Sequence, residues 1–262
     1  MLKLYKHQML KKILIFTSYF SIISPLFLAV SCTNIIISKS ELSKIESNIF
    51  NFIINENEKN LTRFTATLVK KTNNNLTFVS TFHSLNSIKN NIQQQVFDIF
   101  LQQFSVKNLE TKIKSKIRVE YENKEKDIIV FSLDTKETLL LRISDSIDFQ
   151  VLEDFTNTKN SLFSLGFLTI LNEDFKPKTL KTLFYVNDKV VELDKENVFV
   201  QDINYRQGSS GSPLFYKNKI VGLYRGKKLK NGKLTPFFRL IDLDTYQEIK
   251  SVVSKLKEKL KA

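Results

Sequence analysis

Residues 207–213, Gln-Gly-Ser-Ser-Gly-Ser-Pro, are the segment that decides the interpretation of this 262-residue chain. Glycine is scarce, with six in the whole sequence, yet Gly208 and Gly211 flank Ser209 and Ser210. Glycine permits a tight turn in which a serine hydroxyl projects while backbone N–H groups converge on one point, as an oxyanion hole requires. The same residues are also typical of an ordinary β-turn between two strands. Ser210 is therefore a candidate nucleophile whose role depends on the rest of the sequence.

The second candidate is His83, the only histidine after the N-terminal 31 residues. It directly follows the apolar run LTFVSTF, residues 76–82, which is typical of a strand. A solitary histidine is commonly an ordinary surface or core residue. If a base acts on Ser210, however, only His83 can supply an imidazole.

The third candidate is Asp127, which opens the apolar run DIIVFSL at residues 127–133. A nucleophile and its histidine base need a buried carboxylate that holds the imidazole tautomer. An aspartate before a strand is often a simple cap, and Asp98 and Asp134 are competitors. Asp98 lies only 15 residues after His83 and Asp134 follows its strand, so Asp127 is the better candidate.

The order His83, Asp127, Ser210 is the chain order of the chymotrypsin-like group and differs from that of subtilisins and α/β-hydrolases. The segment TFHS at 81–84 resembles the Thr-Ala-Ala-His segment of trypsin-like serine peptidases, and DIIVF resembles their Asp-Ile-Ala-Leu-Leu segment. The Gly-Ser-Ser-Gly-Ser-Pro form is similar to the bacterial branch that contains glutamyl endopeptidases. With the following Val-Gly-Leu-Tyr it also resembles peptidase-like lipoproteins of wall-less bacteria. The resemblance covers about residues 62–245.

This resemblance implies acyl transfer from a polypeptide substrate to water. Ser210 would attack the scissile carbonyl, His83 would take and return its proton, and Asp127 would orient His83. The N–H groups of Gly208 and Ser210 would form the oxyanion hole. No metal or cofactor is implied.

The resemblance also implies a substrate pocket, and the sequence departs from the family there. The pocket wall would comprise Tyr224, Arg225 and Gly226, with Asn204 near its base. Arg225 would either favour an acidic P1 side chain or point to solvent. Residue 209 is Ser where many family members have Asp, and no Ile-Val-Gly-Gly-like start is visible, so we expect an oxyanion hole that forms without amino-terminal cleavage.

The remaining pattern predicts a mostly β protein with two six-stranded antiparallel barrels of the chymotrypsin type, flanked by an N-terminal and a C-terminal helix. An apolar stripe at helical spacing from Ser38, and another in the last 21 residues, predict the two terminal helices. A third helix is predicted at residues 88–104. The candidate strands are residues 64–71, 76–82, 116–123, 127–133, 138–144, 161–171, 182–187, 197–203, 212–218, 219–226 and 237–243.

The N-terminus predicts export and membrane attachment. Residues 1–12 carry four lysines and no acid, and residues 13–31 are uncharged and apolar, as in a secretory signal. Cys32, the only cysteine, follows Ala-Val-Ser, which resembles a bacterial lipoprotein box. We expect a lipidated Cys32 and an outward-facing protein anchored in the cell membrane, although a signal anchor or a free thiol would also fit. The expected organisation is a signal at 1–31, a tether and helix at 32–61, and a peptidase domain at 62–262.

The charge and composition leave two other function classes open. The formal net charge is +13, and removing the four lysines of the first 12 residues leaves +9. These charges are scattered without a nucleic-acid-binding motif, so no nucleic-acid partner is expected. A membrane-surface protein would need them gathered on one face. The main alternative to a peptidase is a catalytically inactive surface lipoprotein that uses the protease fold as a binding or adhesion module.

Overall fold

The computed structural model describes residues 37–57, 60–72, 74–86, 88, 95–106, 110–134, 147–152, 162–171, 177–186, 189–201, 203 and 205–258. The helices within these ranges are α1 (Lys39–Glu46), α2 (Phe82–Asn86) and α3 (Leu243–Glu258). The strands of the first half are β1 (Ile49–Asn57), β2 (Asn60–Lys71), β3 (Asn75–Ser80), β4 (Val96–Gln103), β5 (Glu110–Asn123) and β6 (Ile128–Asp134). Those of the second half are β7 (Leu162–Leu171), β8 (Pro177–Tyr185), β9 (Val190–Leu193), β10 (Asn197–Val200), β11 (Pro213–Tyr216), β12 (Lys219–Lys230) and β13 (Lys233–Leu240).

The first half is a closed antiparallel barrel with strand order β1-β2-β3-β6-β5-β4. Successive strand residues point to opposite faces of a sheet, and the barrel interior takes one face of each strand. Phenylalanine rings fill it, with Phe52 stacked on Phe64 at 5.0 Å and Phe78 on Phe131 at 5.6 Å between ring centroids. All four rings are fully buried, so this core fixes the register of the strands that carry the site.

The second half is a seven-stranded sheet in the order β8-β7-β11-β12-β13-β10-β9. Its own core contains Tyr205, Tyr224 and Phe238. A further buried cluster, which includes Ile49, Val79, Phe167 and Phe215, draws residues from both halves. Residues 37–262 form one compact unit that contains every cluster of buried apolar residues in the described ranges, so this unit has the core it needs to fold by itself.

The structure confirms the mostly β, chymotrypsin-like fold class, the first six-stranded barrel and the C-terminal helix α3. The second predicted barrel of six strands is instead a sheet of seven strands in the described residues, because β9 joins its edge beside β10. The N-terminal helix also starts as predicted, because the Ser38 hydroxyl accepts a hydrogen bond from the Glu41 N–H and the Glu41 carboxylate accepts one from the Ser38 N–H. The candidate strand at 138–144 lies outside the described residues, as do the signal at 1–31 and Cys32. In the ranges described, no helix has both the length and the apolar character needed to cross a bilayer.

The prediction of a helix at 88–104 was wrong, because residues 96–103 form β4. Phe97, Ile99 and Leu101 face the barrel core while Asp98 and Phe100 alternate with them on the outer face. The helix from Ser38 also ends earlier than its apolar stripe suggested, at Glu46, and β1 begins at Ile49. Runs such as IFNFII and VFDIFL fit a period of 2 as well as a period of 3.6, and the need to complete the barrel decides for the strand.

Candidate active site

His83 and Asp127 are joined by two hydrogen bonds, although 44 residues separate them, and a third joins the neighbouring Phe82 to Asp127. The His83 ring Nδ1 lies 2.7 Å from Asp127 Oδ2, and the His83 backbone N–H donates to Oδ1 at 2.9 Å. The backbone N–H of Phe82 donates to the Asp127 carbonyl oxygen at 3.1 Å. Both carboxylate oxygens are therefore used to hold α2 and its imidazole in one orientation.

The position of Asp127 follows from the turn between β5 and β6. Asp127 adopts φ +56°, in the left-handed region that only a few non-glycine residues tolerate, aspartate among them. Its side chain is 4% exposed, so the carboxylate lies under the site and not at the surface. The competing Asp98 is ion-paired with Lys112 at 2.9 Å, and Asp134 with Arg118 at 3.2 Å.

Ser210 is on the other side of the imidazole. His83 Nε2 lies 2.9 Å from Ser210 Oγ, which is the distance of a hydrogen bond between a base and the hydroxyl it deprotonates. The His83 side chain is 43% exposed, so the pair is open to solvent and to a substrate. The three side chains singled out in the sequence thus form one hydrogen-bonded chain across the two halves of the fold.

The orientation of the Gly208 and Ser210 N–H groups follows from the hydrogen bonds that the carbonyl groups of the same two peptides accept. The Gln207 carbonyl accepts a hydrogen bond from Thr169 N–H at 2.8 Å, and the Ser209 carbonyl accepts one from Ser212 N–H at 3.0 Å. In a trans peptide the N–H points opposite to the carbonyl, so these bonds point both N–H groups away from Thr169 N and Ser212 N. Neither N–H has an acceptor among the residues that the structure describes. An oxyanion hole requires unpaired N–H donors, so both groups remain candidates for that role.

Thr65 of β2 is hydrogen-bonded to the loop at residues 207–212, which we call the nucleophile loop. Its hydroxyl donates to the Gly208 carbonyl at 2.9 Å and accepts from the Phe167 N–H at 3.1 Å, and its N–H donates to the Ser210 carbonyl at 2.9 Å. Thr65 is fully buried. The Thr65 side chain therefore links the first barrel, β7 and the loop. This role could not be predicted from the sequence, because a threonine within a strand is common.

Ser209 stabilises the loop locally. It is fully buried, its N–H donates to the Arg206 carbonyl at 3.0 Å, and its hydroxyl accepts from the Arg206 N–H at 3.2 Å. These contacts pair the N–H and the hydroxyl of Ser209 within its own turn. Because the Ser209 side chain is uncharged, it does not need the ammonium group of a freed amino terminus as a partner. The loop geometry thus agrees with the expectation drawn from the Asp-to-Ser departure.

Arg225 takes part in the site in a way that sequence reasoning missed. Its Nε lies 2.9 Å from Asp127 Oδ2, the same oxygen that contacts the His83 ring. The expectation from the resemblance was that Arg225 would line the pocket or point to solvent. A register shift in β12 between Tyr224 and Gly226 turns the residue between them out of the regular alternation. The buried Asp127 carboxylate therefore contacts the His83 ring and the Arg225 guanidinium at the same time.

The other predicted pocket residues occupy contrasting positions. Tyr224 is 4% exposed and packs edge-on against Tyr205 at 4.5 Å, and burial raises the pKa of the Tyr224 hydroxyl to about 12. Gly226 has φ +129°, and a Cβ there would meet nothing within 4 Å, so it faces open space. Asn204 lies outside the described residues. Of these three residues, only Gly226 is thus seen to face open space.

Comparison with known structures shows the fold. A Glu endopeptidase matches with a TM-score of 0.54 at 10% identity, over 80% of this chain and 91% of its own. The scabies mite inactivated protease paralogue S-D1 matches with 0.54 at 11% identity, over 81% and 94%. The protein Deg5 matches with 0.51 at 12% identity, over 82% and 92%. No curated protein matches the sequence.

The sequence itself matches a protein-family model over most of its length. The matched region is residues 56–235, and the family is described as Peptidase S7, Flavivirus NS3 serine protease. This region contains His83, Asp127 and Ser210. The chain therefore belongs to peptidase family S7, the family of the flavivirus NS3 serine protease, and has the fold of trypsin-like serine peptidases.

Proposed function

We propose that the protein is a serine endopeptidase that hydrolyses polypeptides through His83, Asp127 and Ser210. The observation that carries this proposal is the hydrogen-bonded chain from Asp127 through His83 to Ser210 Oγ, with distances of 2.7 Å and 2.9 Å. The two N–H groups of the loop that have no acceptor in the described residues support it, because acyl transfer needs such donors for the developing oxyanion.

The proposed reaction proceeds through an acyl-enzyme. Ser210 Oγ forms a bond to the scissile carbonyl carbon as its proton passes to His83 Nε2. The resulting oxyanion accepts hydrogen bonds from the N–H groups of Gly208 and Ser210. Collapse breaks the C–N bond while His83 returns the proton to the leaving amine. A water molecule then repeats the two steps and releases the acid, and Asp127 stabilises the protonated imidazole each time.

We also propose that the enzyme is exported and anchored to the cell membrane on its outer side. The support is in the sequence, namely the apolar run at 13–31 after a lysine-rich start and the small residues before Cys32. Lipidation of Cys32 would leave residues 33–262 facing outward. Mass spectrometry of the membrane fraction tests this directly, because an unmodified Cys32 peptide would contradict it.

The fold alone does not entail activity, since the similar scabies mite protein is described as an inactivated paralogue. The alternative function is therefore a binding module, and chemical reactivity of Ser210 separates the two. Residues 33–262 treated with a fluorophosphonate should be labelled, because the reagent modifies serines activated by a base. Labelling should vanish in Ser210→Ala and in His83→Ala.

The matched control for this experiment is Ser212→Ala. Ser212 lies in the same loop, is fully buried, and its hydroxyl has no hydrogen-bond partner among the described residues. The variant should fold and be labelled like the wild type. A folded wild type that is not labelled would contradict the peptidase proposal and favour the binding module.

A further inference from the structure

The outer part of the β12–β13 hairpin projects from the second sheet as a two-stranded ribbon. β12 pairs with β11 only as far as Leu223, and β13 pairs with β10 only at residues 237–239. From residue 227 to residue 236 the two strands pair with each other alone. Asn231 and Gly232 connect them with φ +49° and +75°, as a two-residue type I′ turn requires. We call residues 227–236 the ribbon tip.

One face of the ribbon tip carries two exposed leucines. Leu229 stands directly opposite Leu234 in the register, so their side chains lie on the same face. They are 66% and 62% exposed, the two highest values among the exposed large apolar side chains of the described residues. Two leucines side by side at the end of a projecting ribbon are not needed for the core.

The ribbon tip also carries lysines that have no acidic partner within it. No Asp or Glu occurs between residues 225 and 240. Lys230 stands opposite Lys233, an arrangement that costs stability in an antiparallel pair. Glu192 compensates Lys230 at 2.5 Å, whereas Lys227, Lys228 and Lys233 have no carboxylate within 4.0 Å in the described part of the chain.

An anionic lipid surface fits this combination better than a protein does. Lys227 lies on the face of the two leucines, whereas Lys228 and Lys233 lie on the opposite face of the ribbon. Amphipathic segments with an apolar face and a lysine-rich face bind at bilayer interfaces, where the apolar side chains enter and the lysines stay with the headgroups. Stable protein interfaces bury about 1,200 Å² or more and are depleted of lysine in their centre. A ten-residue ribbon with three uncompensated lysines meets neither condition. Four of the lysines of the sequence fall within residues 227–233, and the hairpin presents them at one place on the fold.

We propose that the ribbon tip binds the surface of a bilayer that contains anionic lipid. This site is separate from Cys32 and independent of the proposed catalysis.

The test is sedimentation of residues 33–262, which lack Cys32, with two kinds of vesicle. We expect binding to equal parts of phosphatidylglycerol and phosphatidylcholine, no binding to phosphatidylcholine alone, and weaker binding at higher salt. The triple variant Lys227→Gln, Lys228→Gln, Lys233→Gln should bind roughly 100-fold more weakly, since each lysine near an anionic surface contributes about fivefold. Leu229→Ser with Leu234→Ser should weaken binding with all lysines intact.

The matched control removes three lysines elsewhere. Lys112, Lys114 and Lys116 alternate along the exposed face of β5 without neighbouring exposed leucines. Their change to Gln gives the same change in net charge and should leave vesicle binding within about twofold. An equal loss in this control would overturn the proposal in favour of a general charge effect. Unchanged binding by the leucine variant would also overturn it and indicate an acidic polymer as the partner.

Discussion

Replacing Asp127 with Asn should lower kcat for a peptide substrate about 10⁴-fold while leaving the fold intact. The amide nitrogen of Asn would donate to the His83 ring, so His83 would carry its proton on Nε2 and could not accept the Ser210 proton. Asparagine tolerates φ +56° as aspartate does, so the turn should keep its conformation. Hydrolysis of a fluorogenic peptide library, with far-UV circular dichroism to check folding, measures the effect.

Arg225 makes the Asn substitution more disruptive here than in a site with one partner. Asp127 Oδ1 accepts a hydrogen bond from the His83 backbone N–H, while Oδ2 contacts both the His83 ring Nδ1 and Arg225 Nε. An amide has only one acceptor oxygen, so one of these donors would face the amide NH₂ in either orientation. Asp98→Asn is the control, because Asp98 pairs with Lys112 on the outer face of β4. Equal loss in both variants would mean that Asp127 has no special role.

Gly211→Ala should abolish active-site labelling and destabilise the protein by roughly 3 kcal/mol or more. Gly211 has φ +82°, and a Cβ there would lie within 3.0 Å of Ser80 Oγ and of the Thr65 carbonyl oxygen. Ser80 donates to that same carbonyl at 2.8 Å, so neither atom can move without breaking a buried hydrogen bond. The loop would have to shift, taking Ser210 away from His83. Urea unfolding followed by circular dichroism suits a chain without tryptophan.

Gly232→Ala separates backbone strain from steric clash. Gly232 also has a positive φ, +75°, but a Cβ there would meet nothing within 4 Å. Its change to Ala should cost only about 1–2 kcal/mol and leave labelling unchanged. If both glycine variants lost the same stability, the clash at Gly211 would not be the cause.

Much of the fold could be predicted because its strands show alternating or continuous apolar runs. The candidate residues could be predicted because each lies beside such a strand. His83 directly follows the β3 region, Asp127 precedes β6, and Ser210 precedes β11. The structure brings these three side chains together, and the labelling experiment proposed above would test their chemical role. Periodicity could not assign β4, because its apolar residues fit both a helix and a strand.

Two contacts of the site had no sequence signal at all. The ion pair of Arg225 with Asp127 depends on a local register shift in β12, which leaves no mark in composition. The hydrogen bonds of Thr65 to the nucleophile loop join residues 143 positions apart. Contacts of this kind depend on how the two halves pack, and single-sequence patterns describe only local structure.

The loop around Ser210 is hydrogen-bonded to two strands that are far apart in the sequence. One contact is with Thr65 in β2, and in the other the Gly211 N–H donates to the Tyr224 carbonyl in β12 at 3.0 Å. Synthesis runs from the N-terminus, so the first barrel is complete at residue 134, long before either Ser210 or Tyr224 exists. A nascent chain thus possesses the base and its carboxylate but no fastened nucleophile. The proposed activity therefore requires that β12 has been made, because the loop lacks its second anchoring hydrogen bond before then.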